Sequence, residues 1–594
     1  MSYRAPLRDL GFTLKHVLGL EDLQATGAYP DLDADVVDAV LEAAGQVSEG
    51  TLAPLNVSGD RAGSRLEGDG VIPAPGFGEA YRTFVEGGWM GLAAPTAHGG
   101  QGLPKALELA AFETVHSANM AFGLCPMLSL AAIEALEAHG TEAQKTTYLE
   151  KLISGEWTGA MVLTEPNAGS DLGALTATAT PNGDGTYSLN GQKIYITWGD
   201  HDMTDNIVHM VLARLPDAPP GPKGISLFLA PKYLLNTDGS RGERNAFRPV
   251  GVEHKLGIHA SPTCVMAYEG ATAELVGRPN EGLAHMFTMM NAARVAVGVE
   301  GVGIAERAYQ HALAYAAERR QGRSVWTGEA SAPIIDHPDV RRTLSVMKAR
   351  IAAGRAICLA TGMAADLARS SADAEVARQW KGREDLLTPI AKAWATDMGV
   401  EVASMGLQIH GGMGFIEETG AAQYYRDARI APIYEGTNGI QAMDLVGRKL
   451  SQDGGAAARL LIEEMKTVLT PLAGLYDGKP VERMANALSA VEDATLWLLD
   501  RKAAEDGTAD VLAAADAYLK LMGDVIGGWF LARGALAAQA LKARDEGDAE
   551  WLDGRIALYE VYAANALGHV SSRLAAIGQG GDLLLRMTPA VLAP

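Results

Sequence analysis

The chain has 594 residues, which at about 150 residues per domain points to about four structural units. Fifty Lys and Arg stand against 72 Asp and Glu, a net charge of -22 that repels phosphate backbones and disfavours nucleic-acid binding by the protein as a whole. A composition of 48% hydrophobic and 21% charged residues excludes a disordered chain, and three scattered cysteines, Cys125, Cys264 and Cys358, exclude a disulfide framework or thiolate zinc site and fit a reducing compartment.

Residues Met1 to Asp9 lack the apolar segment of a signal peptide, and the acidic residues argue against a transit peptide, so a cytoplasmic location is expected. The most apolar charge-free stretch, Ala121 to Ile133, is short and carries Gly123 and Pro126, so no membrane span is expected. After an extension over 1–35, residues 36–159 read as a helical domain, with Val37, Val40 and Leu41 and later Leu107, Ala111 and Val115 at helical spacing. Over 160–281 the pattern changes to strands. Tyr187 to Thr197 alternates on either side of Asn190-Gly191, a hairpin signal, and Ile207 to Leu212, Ile225 to Leu229 and Thr263 to Tyr268 are further strand-like runs. Helical periodicity returns as a bundle over 282–450, and an additional helical domain fills 451–594, with Leu519, Met522, Ile526 and Trp529 on one face. The predicted fold is mainly α with a central β domain.

Three segments could carry chemistry. Met161 to Asp171 contains Pro166, Asn167 and Gly169, which force an irregular backbone and expose N–H groups and hydroxyls suited to a polar ring or a pyrophosphate; a capped turn is the plain alternative. Gln408 to Phe415 holds three glycines that permit close backbone approach, although no strand precedes it as a dinucleotide fingerprint requires, and taken alone a helix-ending turn is the better explanation. Glu435 sits in an apolar stretch beside Gly436, where desolvation would raise its pKa towards that of a general base. An ion pair with Arg426 or Arg429 is the competing explanation. His254 and His259 lack a carboxylate cluster, so no metal site is expected.

In this order and on this frame, Thr164-Glu-Pro-Asn-Ala-Gly-Ser-Asp171, Asn190-Gly-Gln-Lys-Ile-Tyr-Ile-Thr197, Gln408-Ile-His-Gly-Gly-Met-Gly414 and Ile433-Tyr-Glu-Gly-Thr-Asn438 resemble the acyl-CoA dehydrogenase family over roughly residues 35–450. Tyr3 to Asp9, Glu253 to Thr263 and the long C-terminal region look most like that family's 3-methylmercaptopropionyl-CoA dehydrogenase group, which works in dimethylsulfoniopropionate catabolism.

The resemblance implies an FAD enzyme in which Glu435 removes the α-proton of an acyl thioester while the β-hydrogen leaves as hydride to the flavin. It assigns Met161, Leu163, Thr164, Ser170, Tyr195, Thr197 and Thr437 to FAD, with Tyr195 replacing the usual Trp and Gly439 the usual polar residue after Thr437. Arg319 and Gln321, and Gln408, Gly411 and Gly412, match segments that reach a neighbouring subunit's FAD, which implies a homodimer or higher homo-oligomer. Ser170, Asn291, Arg294 and Gly436 match substrate contacts, with Asn291 where an acidic companion of Arg294 is usual. The implied electron acceptor is electron-transfer flavoprotein. Other readings are a medium- or long-chain fatty acyl-CoA dehydrogenase of β-oxidation, an acyl-CoA oxidase, and a non-catalytic DNA-binding flavoprotein, the last opposed by Glu435 and the net charge.

Overall fold

The computed structural model describes residues 3–594, in the order helices, sheet, helices and a further set of helices. Helix α1 (Ala34–Val47) starts at Asp33, whose carboxylate accepts from the Val36 N–H at 2.8 Å, and a short hairpin follows in β1 (Arg65–Glu67) and β2 (Gly70–Ile72), which helical spacing did not signal. Helices α2 (Lys105–Ala118) and α3 (Met120–His139) are buried over most of their length. The apolar stretch expected to be short and broken is in fact the 20-residue α3, which runs through both Gly123 and Pro126. Gly123 is required because a Cβ there would lie 2.5 Å from the His116 ring of α2, and packing on every side outweighs the roughly 3 kcal/mol that a proline costs inside a helix. By length and composition α3 could cross a membrane, as could α5 (below), yet 89% and 78% of their most apolar windows are buried within this protein. A helix that is apolar all round is here a core helix.

The β domain comprises β3 (Trp157–Val162), β4 (Thr178–Pro181), β5 (Tyr187–Thr197), β6 (Asn206–Arg214), β7 (Ile225–Pro231), β8 (Tyr233–Leu235), β9 (Arg241–Arg244), β10 (Phe247–Val252) and β11 (Thr263–Val276). Its main sheet has the order β10-β11-β5-β4-β6-β3, and β7 pairs with both β11 and β6, closing a barrel-like ring; β8 and β9 pair separately. The Asn190-Gly191 hairpin expected from the sequence is absent. Strand β5 passes straight through it, pairing Asn190 with Glu269 and Gly191 with Tyr268, and the real turn lies at Asn182 to Thr186, closed by Asn182 N–H to Thr186 O at 2.9 Å. A long partner strand on one side satisfies the backbone that a turn would have left open.

Three long helices, α4 (Gly282–Glu318), α5 (Pro338–Ser370) and α6 (Ala374–Ile409), form the bundle, followed by the short α7 (Ala421–Ala428) and α8 (Asn438–Asp444). Helices α4 and α6 pack almost backbone to backbone at Gly298 and Gly301, where a Cβ would meet the Ala391 and Ala395 carbonyls at 2.5 and 2.6 Å. Behind them lie α9 (Lys479–Ala503), α10 (Thr508–Ala543) and α11 (Ala549–Asn565). The Trp394 indole of α6 donates to Asp524 of α10 at 2.9 Å, and Arg573 donates to the other oxygen of Asp524 at 2.7 Å.

Arg355 of α5, about 1% exposed, donates to Glu113 of α2 at 2.6 and 2.9 Å and to Glu306 of α4 at 3.0 Å. Removing one partner of such a network strands buried charge, so Arg355→Leu should lower stability by about 3–5 kcal/mol in chemical denaturation. An unchanged midpoint would show that the two carboxylates are accommodated without it.

Candidate active site

Glu435 follows α7 through a tight turn, in which Ile433 N–H and Tyr434 N–H both donate to Ile430 O, at 2.8 and 3.2 Å. Glu435 has φ 54° and Gly436 φ 81°, two consecutive left-handed residues. For a glutamate this backbone is strained and persists only where the surroundings hold it. Here Asn438 N–H donates to Pro432 O at 3.0 Å, the Gln441 amide donates to Glu435 O at 3.2 Å and Lys392 donates to Gly436 O at 2.8 Å. A Cβ on Gly436 would lie 2.7 Å from the Gln441 amide, so the position needs glycine twice over. Thr437 caps α8 by accepting from Ile440 N–H at 3.2 Å.

The Glu435 side chain is half-buried, and burial pushes its pKa up to about 7 against the opposing pull of Arg294 and Lys392. Ion pairing with Arg426 does not occur, because that guanidinium binds Asp60 at 2.7 Å and Glu417 at 2.6 Å; nor does Arg429 pair with Glu435 among the described residues. Arg294, 4% exposed, lies 3.9 Å from where a Gly436 Cβ would be and donates to Asn291 at 3.2 Å. It does not lack an acidic companion despite Asn291: Asp444, at the end of α8, stands 3.6 Å away. Glu435, Gly436, Asn291 and Arg294 therefore meet at one place.

On the β domain, Ile194 N–H donates to Thr164 O at 2.9 Å, which sets Thr164 next to the residue before Tyr195, while Thr197 pairs with Thr263 of β11. The register of β5 slips between Lys193 and Ile196, and Tyr195 occupies this bulge at φ 60°, 61% exposed as a residue. Bulges re-aim side chains, and this one turns an aromatic face outward. Met161 is buried in β3, Leu163 is half-buried and Ser170 is exposed. A Cβ on Gly169 would meet nothing within 4 Å. An open backbone, hydroxyls and an uncovered aromatic ring are the donor set that a flavin ring and a pyrophosphate require. Sequence reasoning passed over what freezes this segment: Lys193, fully buried, donates to Leu163 O at 2.8 Å and to Glu165 at 2.9 Å, while Glu165 also accepts from Thr176 N–H at 2.7 Å and Ala177 N–H at 3.0 Å. Buried pairs of this kind are marked in sequence only by charge inside an apolar strand.

Arg319, Gln321, Gln408, Gly411 and Gly412 are exposed, away from Glu435 and at the common end of α4 and α6, where the Tyr315 and His410 rings are 4.6 Å apart. Within one chain they do not join the cluster at Glu435. Among the described residues no group of three His, Cys, Asp or Glu side chains could hold a metal ion; His259 instead faces Asp60 at 2.9 Å.

Residues 65–156, 160–270 and 280–450 match the family profiles of the N-terminal, middle and C-terminal domains of acyl-CoA dehydrogenases, in that order. The chain belongs to the acyl-CoA dehydrogenase family. Residues 461–588 match the profile described as acetyl-CoA dehydrogenase C-terminal like. The 3-methylmercaptopropionyl-CoA dehydrogenase of Ruegeria pomeroyi is 47% identical over 588 residues, covering 98% of this chain and 99% of that protein. The broad-specificity linear acyl-CoA dehydrogenase FadE5 of Mycobacterium tuberculosis is 34% identical over 596 residues, 96% of each chain. An acyl-CoA dehydrogenase of Bacillus anthracis solved with FAD shares the fold at a TM-score of 0.73 and 21% identity, covering 94% of this chain and 91% of that one. The protein is thus an FAD-dependent acyl-CoA dehydrogenase with an added C-terminal helical region.

Only the ionised form of a carboxyl group accepts a proton, so substrate-dependent flavin reduction should rise with pH through about 7, where burial has moved Glu435. Stopped-flow rates that stay flat across this range would disprove the assignment of that titration to the rate.

Proposed function

We propose that Glu435 is the base that removes the α-proton of an acyl-CoA thioester, and that the favoured substrate is 3-methylmercaptopropionyl-CoA, converted to methylthioacryloyl-CoA. The observation that carries the role is a carboxyl group raised to about 7 and held in a left-handed turn beside two cations, Arg294 and Lys392. The α-proton passes to the Glu435 carboxylate, the C–H electron pair becomes the C2–C3 double bond, and the β-hydrogen departs with its own pair. FAD, held by Met161, Leu163, Thr164, Ser170, Tyr195, Thr197 and Thr437, supplies the two-electron acceptor when bound. The Glu435 N–H makes no backbone hydrogen bond among the described residues and is free to polarise the thioester carbonyl. Arg294, with Asn291, Gly436 and Ser170, orients the acyl-CoA.

The 47% likeness to the R. pomeroyi enzyme supports the thioether substrate. The likeness to FadE5 favours the alternative of a longer linear fatty acyl chain.

Arg319, Gln321, Gln408, Gly411 and Gly412 serve the FAD of a second copy, which makes the active unit a homodimer or larger, and electron-transfer flavoprotein takes the electrons onward. The three cysteines are free and buried, which supports a reducing, cytoplasmic setting.

Glu435→Gln should keep yellow, FAD-loaded protein yet lose anaerobic bleaching by substrate by at least about a thousandfold; bleaching at the wild-type rate removes Glu435 as the base. A panel of acyl-CoA thioesters with an artificial electron acceptor should give its highest kcat/KM with 3-methylmercaptopropionyl-CoA, and a preference for straight chains of about twelve carbons or more would transfer the assignment to fatty acyl-CoA. Gln408→Ala combined with Gly411→Val should release FAD on dilution, and a fully loaded double variant would remove the shared-cofactor reading.

A further inference from the structure

Two fully buried polar side chains grip the turn that carries Glu435, and neither takes part in the proton or hydride steps above. Glu300 of α4 has one hydrogen bond among the described residues, accepted from the Tyr434 hydroxyl of the residue before the base; its other oxygen has no partner. Lys392 of α6 donates to Gly436 O, the residue after the base, and to the Asn438 side chain, both at 2.8 Å. Asn438 is itself fixed, donating to Ala393 O at 3.0 Å and to Asp397 at 2.8 Å. At Gly298 and Gly301 there is no room for a Cβ, so direct backbone contact between α4 and α6 sets the spacing of the two anchoring helices.

We propose that Glu300 and Lys392 are positioning residues that clamp the backbone on either side of Glu435, holding its left-handed turn and the aim of its carboxylate from two helices outside the turn. The proposal rests on Glu435 being the base. A loop that needed only closure has that already in Asn438 N–H to Pro432 O. Lys392 is bonded to a carbonyl and an amide and makes no direct ion pair among the described residues, so mere closure does not account for burying it. Burial pulls Lys392 down to about 7, and the charges that hold it up are first Glu435 and then Asp397. Burial pushes Glu300 up to about 8, against the pull of the Tyr434 hydroxyl and Lys392. The charged and titratable groups around Glu435 are Arg294 and Glu300 from α4, Lys392 and Asp397 from α6, Tyr434 from the turn, and Asp444 from α8 across Arg294. Of these, Lys392 is the cation attached to the turn itself.

The test compares variants matched for FAD content and thermal midpoint. Tyr434→Phe and Glu300→Leu should each lower kcat about tenfold with little change in KM, and the double variant should be no slower than the slower single, because both cut one link. Glu300→Gln, which still accepts from the phenol, should recover most of the loss. Losses that multiply in the double variant, or a Gln variant as slow as Leu, overturn the Glu300 arm. Lys392→Met removes a cation beside the base, so the pH midpoint of flavin reduction should move upward. A slower reaction with an unmoved midpoint overturns the Lys392 arm; if this variant does not fold, the Tyr434 and Glu300 cycle decides. Failure of the base reading is distinguishable, since there Glu435→Gln would still bleach.

Discussion

A carboxyl group proposed to take a weakly acidic proton needs to be short of water, yet one short of water tends to stay protonated and useless. At Glu435 the conflict is settled by placing two cations, Arg294 and Lys392, against a half-buried side chain, so that burial raises the pKa and the cations stop the rise near 7. The left-handed backbone at Glu435 and Gly436 is the geometric counterpart, at a cost of about 1–3 kcal/mol for a non-glycine residue. Such strain survives only in a rigid frame, and much of the remaining fold supplies that frame.

The frame is built in layers behind the turn. Helices α4 and α6 approach at glycines, which fixes Arg294 and Glu300 on one helix relative to Lys392 on the other. Helix α6 is in turn backed by α10 through Trp394 and Asp524, so the added C-terminal helices are continuous with the bundle and stiffen the helix that carries Lys392. On the opposite side, Asp427 at the end of α7 accepts from Ile258 N–H in the loop between β10 and β11, tying the β domain to the segment that leads into Glu435. One connected body thus holds the outward-facing Tyr195 ring and the proposed base, Glu435.

The local chemistry of the site was legible in the residues themselves. Glu435 beside a glycine in an apolar stretch announced a perturbed carboxyl group, and the irregular segment from Met161 to Asp171 announced exposed donors, because both signals depend on neighbours in the chain. Local signals misled where a distant partner took over. Asn190-Gly191 would turn in isolation, but β11 runs past it and absorbs its backbone groups into a ladder. Gly123 and Pro126 would end an isolated helix, but α3 is packed on all sides and continues.

By itself the sequence determined the succession of helical and β regions, the family, and the identity of the base candidate, since these follow from periodicity and from motifs contiguous in the chain. Only the tertiary structure decided which charges surround that base. Asp444 replaces the carboxylate that Asn291 cannot provide, Lys392 reaches Gly436 from 44 residues away and Glu300 meets Tyr434 from 134 residues away. Electrostatic and hydrogen-bond interactions act over a few ångströms of space with no regard to separation along the chain, so the proton affinity and aim of Glu435 became readable only once the helices were packed.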